Sequence, residues 1–491
     1  MRRLIPRSLR TDARRRRLYG LEWERGDAMR LVYLTCLTLI LIGGTPLWAQ
    51  NVVPPPGFVP GQDDGTPPSP PADSLAYPRS RTYSGSGDYP NPFGNPGPNS
   101  DPEFDPVVPG GTQRPQTFRA PSIPTTLFVE DGPPMPRVWF KAEALFWWSK
   151  NSPLPVPIVT QGYPADTIPG ALGQPGTSVI LGNQNIGLPM QPGGRYTFGF
   201  TFDAEQTWGT ELTYFSLATA SVSQGVFADG SPGSALLAFP FYDPNLHRES
   251  SSPIALPGYF AGSAVIILQS SLRGTELNLL RNILNSNGIR LDLLGGFRYV
   301  NFQEGLNFNT DSPNVYPNPP AFFHTFDQFN TTNNFYGGQF GVRASYDSSI
   351  FFMNATTKLA LGDTFENVSV NGGTFTNFNG GFSSANGGYL TQPTNIGSQT
   401  RSQFGVIPEF DLNLGVRLRP WASIIVGYSF LYLSSVARPG NQIDRVVNPT
   451  QSSAISNNFP ANLSGNASPF LSVHNTDFWA QGLNLALELR F

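Results

Sequence analysis

The last thirteen residues of the chain alternate with a period of two. Counting back from Phe491, the side chains of Leu489, Leu487, Leu485, Leu483 and Trp479 fall on one face, with Gln481 the polar interruption. Arg490, Glu488, Ala486, Asn484, Gly482 and Ala480 fall on the other. Two is the period of a β-strand, and an apolar face backed by polar or small groups suits a strand standing between lipid and a wet interior. A buried strand of a soluble sandwich alternates in the same way, so the argument rests on whether the pattern recurs.

It recurs along most of the chain after residue 137. Phe140, Ala142, Ala144, Phe146 and Trp148 share a face while Lys141 and Glu143 point the other way. Tyr196, Phe198, Phe200 and Phe202 alternate with Arg195, Thr197, Gly199 and Asp203. Phe404, Val406, Phe410, Leu412, Leu414 and Val416 oppose Glu409, Asp411, Asn413 and Arg417. The pattern predicts ten strands, at 138–148, 194–203, 208–217, 263–280, 289–303, 334–346, 350–361, 403–418, 421–434 and 476–491. Short turns near 204–207, 282–288, 347–349 and Pro420 alternate with long polar stretches at 149–194, 218–262, 304–333, 362–402 and 435–476. That asymmetry is the one expected of periplasmic turns and extracellular loops. The fold class expected is therefore all-β, a transmembrane antiparallel β-barrel of ten strands, or twelve if a hairpin turning at Asn371-Gly372-Gly373 joins it. Trp147, Trp148, Trp208, Trp421, Tyr428 and Trp479 lie near strand ends, where aromatic girdles form.

Composition agrees with this class. Asp, Glu, Lys and Arg make up 13% of the chain, about half the usual share, and 51 Gly, 48 Pro and 37 Phe are in excess. A net charge of -3 gives no basis for nucleic-acid binding. An apolar run of twelve residues at 31–42, followed by Leu47-Trp48-Ala49-Gln50, fits the centre of a secretory signal cleaved after Ala49. Residues 1–28 form an atypical extension before it, so translation starts either at Met1 or at Met29. The sole cysteine, Cys36, falls inside this leader, which leaves disulfides out of the mature chain. Residues 51–136 carry 22 prolines and are expected to be a disordered periplasmic tether, either a plain spacer or a contact to peptidoglycan or a scaffold. The barrel domain is then 137–491. Past the leader no apolar span reaches eighteen residues, and a chain crossing a bilayer without such helices must close a barrel to satisfy its backbone.

The chemistry-bearing residues sit on the polar faces. Glu276 and Asn278 share one, as do Asp292 and Arg298. Arg195, Asp203, Glu211, Glu409, Asp411 and Arg417 complete the expected set of lumen charges. Such groups either pair into a plug or line a solute-selective channel. Arg438 and Asp444 are expected to pair across the base of a loop that Pro439 and Gly440 make rigid. Phe491, closing an alternating strand, is expected to be the signal for the barrel insertion machinery, and outer-membrane lipid is the other expected partner. His247, His324 and His474 all fall in stretches read as irregular, so a hydrolase has no general base on a strand, and no metal site, cofactor or enzymatic activity is expected. The functional reading is an outer-membrane barrel that is structural or a passive pore for small solutes; the alternative is a closed barrel whose extracellular loops bind a surface partner or carbohydrate.

Several segments resemble one known family. They are 142–148, reading Ala-Glu-Ala-Leu-Phe-Trp-Trp, Gly194-Arg195 with Gly199, and 274–278, Gly-Thr-Glu-Leu-Asn. They continue through 291–299, 334–339, 427–432 and 436–444, where Ala437-Arg438-Pro439-Gly440-Asn441 leads to Asp444, and end with 477–483. Together they resemble beta-barrel porin family seven, outer-membrane barrels found chiefly in planctomycete bacteria. The resemblance covers about 138–491, excludes the proline-rich segment, and implies a porin-like architecture without an established substrate or catalytic residue.

Overall fold

The computed structural model describes residues 137–315, 321–378, 380–455 and 463–491. The leader with Cys36 and the proline-rich tether lie outside the described residues. In chain order the first strands are β1 (Val138–Ser149), β2 (Pro157–Gly162), β3 (Ser178–Gly182), β4 (Gln191–Thr201), β5 (Trp208–Leu217) and β6 (Ala220–Ala228). Next come β7 (Leu236–Asp243), β8 (Arg248–Ala255), β9 (Gly262–Ser286), β10 (Ile289–Pro313) and β11 (Ala321–Asp347). The last are β12 (Phe351–Phe378), β13 (Gly381–Asn386), β14 (Gly397–Arg419), β15 (Ala422–Ala437) and β16 (Asn475–Arg490).

Ten strands, β1, β4, β5, β9, β10, β11, β12, β14, β15 and β16, pair antiparallel with both neighbours in that order, and β16 pairs with β1. The result is a ring-like sheet of the ten strands that alternation predicts. Short connections join β4 to β5, β9 to β10, β11 to β12 and β14 to β15 at one end of the ring, called here the turn end. The β9–β10 turn is only Asn287-Gly288, both at positive φ (52° and 79°), the geometry that suits a two-residue hairpin and that Asn-Gly supplies at least cost.

Three strands run much further toward the opposite, loop end than alternation of lipid-facing residues predicts. β10 continues to Pro313, β11 begins at Ala321 and β12 reaches Phe378, so most of the stretches read as loops at 304–333 and 362–402 is ladder. The expected turn at Asn371-Gly372-Gly373 lies inside β12; β13 folds back on β12 there without entering the ring.

The reason is a change of polarity along each strand. On β10 the outward positions Ile289, Leu291, Leu293, Gly295, Phe297 and Tyr299 are apolar or small, and then Asn301, Gln303, Asn307 and Asn309 follow on the same face. On β11 the outward face runs Tyr346, Ala344, Val342, Phe340, Gly338 and Tyr336, then Asn334, Thr332, Asn330 and Gln328. Both switch at the paired residues Tyr299 and Tyr336, whose rings lie 5.0 Å apart. Beyond that seam the inner face turns apolar, with Leu306, Phe308 and Phe329 buried.

Those inner faces pack against the long connections, which are themselves folded. β3, β2, β7 and β8 make a second, four-stranded sheet, and β6 pairs with the loop-end half of β9. Phe239, Phe241, Ile254, Phe308, Phe329 and Leu390 share one core there. Two expectations about single residues need correcting. Trp147 belongs to no girdle: it points inward, is buried, and donates its indole N–H to Asn484 Oδ1 at 2.8 Å. His324 lies within strand β11, paired with Asp311 at 2.7 Å, not in an irregular segment.

Candidate functional site

The lumen is the place where the predicted polar residues converge, and it is layered. Every ring strand but β4 places a polar group inward toward the turn end and an apolar one two to four residues nearer the loop end. β10 does this with Arg298 and then Val300 and Phe302; β1 with Glu143 and then Leu145 and Trp147; β14 with Glu409 and then Ile407.

The polar layer is a mesh of ion pairs, some between neighbouring strands and some across the ring. Arg195 of β4 grips Glu143 through Nε and Nη2 at 2.6 and 2.9 Å and reaches Asp411 of β14 at 2.9 Å. Arg298 of β10 donates to Glu276 at 2.6 Å and to Glu409, while Lys358 of β12 bridges the same two carboxylates at 2.9 and 2.8 Å. Gln339 donates to Glu276 at 2.9 Å and to Asn278 at 2.5 Å. Lys141 completes the set 3.1 Å from Glu143, so four cations face four carboxylates and the layer is neutral. Buried charges are tolerated only in such mutual pairing, because each alone would forfeit its hydration.

Above this layer the lumen is lined by apolar side chains. Fifteen buried apolar residues fill it, drawn from nine of the ten ring strands. Phe302 on β10 and Phe478 on β16 come from opposite sides of the ring, five strands apart either way, and their ring centroids are 4.0 Å apart. No space for a water file remains at that contact. Arg438 then seals the next level. It meets Glu304, not Asp444 as its sequence spacing suggests, through Nε and Nη2 at 2.8 Å each, and donates to the carbonyls of Asn151 and Lys150. Its guanidinium lies 5.4 Å over the Phe478 ring. Asp444 instead accepts the backbone N–H of Val446 in a local turn.

Below the charge layer a cavity of 380 Å³ opens among residues of the turn end, including Gln206, Gly288 and Asp347. Glu211 sits in its wall, held by both Nη atoms of Arg343 at 2.9 and 2.7 Å. Asp292 lies there too, held by Arg290 and by Asn282 at 2.9 Å. The remaining predicted residues fall outside the lumen proper. Asp203 caps the β4–β5 turn, accepting from the N–H groups of Thr207 and Trp208, and these bonds lower its pKa, the Trp208 bond most. Arg417 pairs with Asp347 and donates to Ser348 O at 2.8 Å at the rim. Phe491 accepts from Arg137 and Val138 N–H through its carbonyl, joining the end of β16 to the start of β1.

Sequence reasoning therefore placed Arg195, Glu276, Asn278, Arg298, Glu409 and Asp411 in one network and did not connect them to Lys358, Gln339 or Arg343. Those three occupy inward positions on β11 and β12, which alternation does give, but they reach across the ring, Gln339 to Glu276 two strands away, and Lys358 to Glu276 and Arg343 to Glu211 three strands away. Among the described residues no group of three or more His, Cys, Asp and Glu is placed to hold a metal ion.

Comparison with solved structures finds low similarity to three outer-membrane proteins. The outer membrane protease OmpT of Escherichia coli matches with a TM-score of 0.34 at 9% identity, over 72% of this chain and 97% of that one. A Pseudomonas aeruginosa FadL homologue matches with a TM-score of 0.20 at 7% identity, over 73% and 90%. The Pseudomonas putida toluene transporter TodX matches with a TM-score of 0.17 at 6% identity, over 72% and 88%. Scores this low carry no argument. No curated protein matches the chain. The family described as "Putative beta barrel porin-7 (BBP7)" matches residues 139–491, the whole ring and its loops. The chain belongs to this family of beta barrel porins, and its place is the outer membrane.

Proposed function

We propose that the ring is a plugged transmembrane barrel, a membrane-anchored platform for a folded cap and not an open pore. The Phe302–Phe478 contact carries this reading, because two rings from opposite strands meeting at 4.0 Å leave no path along the axis. The neutral ion-pair layer beneath adds a second barrier, since a passing ion would have to displace paired charges in a low-dielectric setting. The outward apolar stretch of eleven residues on β10 and on β11 is the length that crosses a bilayer as a tilted strand. Lipid meets that belt, the insertion machinery meets the β16 strand ending at Phe491, the turn end faces the periplasm, and the cap faces outward. A solute entering the 380 Å³ cavity from the periplasm stops at the charge layer.

Single-channel recording on the folded, detergent-purified protein in planar bilayers tests this. Silence from protein shown by flotation to be inserted is the expected result. Reproducible conductance steps would overturn it in favour of the passive pore.

A further inference from the structure

Near its loop end the outward face of the ring becomes apolar for a second time. Beyond the seam β11 presents Asn334, Thr332, Asn330 and Gln328, and then Phe326, His324 and Phe322. The register sets these beside β12 and β13 in three rows: Phe322, Asn377 and Phe382; His324, Phe375 and Ser384; Phe326, Gly373 and Asn386. Gly373 is the residue that lets the face lie flat. A Cβ there would come within 2.6 Å of the Phe326 ring, so the glycine leaves the ring room to spread over the strand. Phe326 and Phe375 stack at 20° with centroids 6.1 Å apart, His324 lies 6.0 Å from Phe375, and Phe322 lies 6.4 Å from Phe382. Phe322, Phe375 and Phe382 are 38%, 43% and 76% exposed.

Four outward polar positions separate these rings from the lipid belt, so lipid does not account for them. A contiguous exposed aromatic patch on a soluble surface marks a binding site. At about 200 Å² for a whole ring side chain, the exposed fractions amount to roughly 310 Å², well below the roughly 800 Å² per partner of a stable protein interface. The face carries one ionisable contact, Asp311 with His324, and otherwise amides and hydroxyls: Asn309, Asn377, Ser384 and Asn386. Rings that take the C–H faces of a sugar, two of them near-parallel and Phe382 edge-on to Phe322 at 62°, set among uncharged donors and acceptors, suit a neutral polysaccharide.

We infer that the β11–β12–β13 face is a binding site for an uncharged glycan chain at the cell surface. The site rests on the outward orientation proposed above, but its chemistry does not. The test is native affinity electrophoresis of the full, detergent-folded protein in gels containing dextran, galactomannan or xyloglucan, with heparin as the charged control. Retardation by at least one neutral polysaccharide is expected, with the apparent Kd raised tenfold or more by Phe375→Ala and by Phe382→Ala. Both variants alter exposed rings, and their folding is checked by heat-modifiable mobility. Absence of retardation in every neutral gel overturns the inference; so does retardation by heparin alone, equal retardation of the variants, or self-association that Phe382→Ala abolishes. Ser384→Cys labelled on intact cells by an impermeant maleimide tests the orientation separately. Glycan binding without labelling would reject the outward cap and leave the site standing, whereas labelling without binding would reject the site alone.

Discussion

Arg438 and Glu304 form a two-pronged ion pair in which both side chains are fully buried, between the apolar layer of the lumen and the core of the cap. One comes from the loop after β15 and the other from β10, so the pair ties the cap's connection to the ring wall. Removing one partner leaves the other charge without water or counter-charge. Arg438→Ala or Glu304→Ala is expected to cost about 3–5 kcal/mol, read from guanidinium unfolding in detergent, whereas Arg438→Met with Glu304→Leu together costs much less. A loss below about 1 kcal/mol in both single variants would show that water reaches the pair.

The Phe302–Phe478 contact predicts coupling across the ring. Either Phe→Ala change is expected to cost about 3–5 kcal/mol. In a double-mutant cycle the two are expected to couple by about 0.5–1.5 kcal/mol, although their strands are five apart. Strict additivity would mean that the rings do not touch and the lumen is wider than described.

The belt predicts that the same substitution has different costs on the two sides of the Tyr299–Tyr336 seam. Leu293→Arg, in the middle of the outward apolar stretch of β10, is expected to cost about 2–4 kcal/mol in folding into lipid vesicles. Asn307→Arg, on the same face beyond the seam, is expected to cost nearly nothing. Equal costs would remove the argument for a membrane boundary at the tyrosines.

Ten strands were legible because their outward faces are strongly apolar and alternate with polar or small inward residues, and that pattern is what the residues from Val138 onward spell out. The loop-end halves of β10, β11 and β12 were not, for a physical reason. Past Tyr299 the same alternation continues with its sense reversed, polar Asn307 and Asn309 outside and Leu306 and Phe308 inside, and a search for lipid-facing residues reads this as polar loop. The short strands β2, β3, β7 and β8 lack a long enough run to declare a period. In the lumen, alternation gave the inward residues but not their partners, since Arg438 finds Glu304 through closure of the ring and not through spacing along the chain.

The cap offers a pH test. Asp327 is buried on the inner face of β11, where it accepts the N–H groups of Tyr389, Leu390 and Thr391 and the Thr391 hydroxyl at 2.7–3.1 Å. Burial pushes its carboxyl up from 3.8 to about 6, against those hydrogen bonds, which pull it down. A raised pKa means the folded cap binds this proton more tightly than the unfolded chain does. The corresponding stability, about 3 kcal/mol, is therefore full below pH 3.8 and lost as pH rises through 6. The difference in unfolding free energy between the native protein and Asp327→Asn is expected to change by about that amount between pH 3 and pH 8; a constant difference would place the titration elsewhere.

The exchange of polarity at Tyr299 and Tyr336 also bears on how such a chain can change over time. On the transmembrane reading proposed above, strand length below the seam is fixed by bilayer thickness. Above it nothing in the membrane sets a height, and residues added in pairs to β10 and β11 keep every side chain on its proper face. A single added residue would turn the cap's apolar interior out to water. The exposed half can therefore grow or shrink in even steps, carrying its outer surface nearer to or farther from the cell, while the anchoring half remains the same.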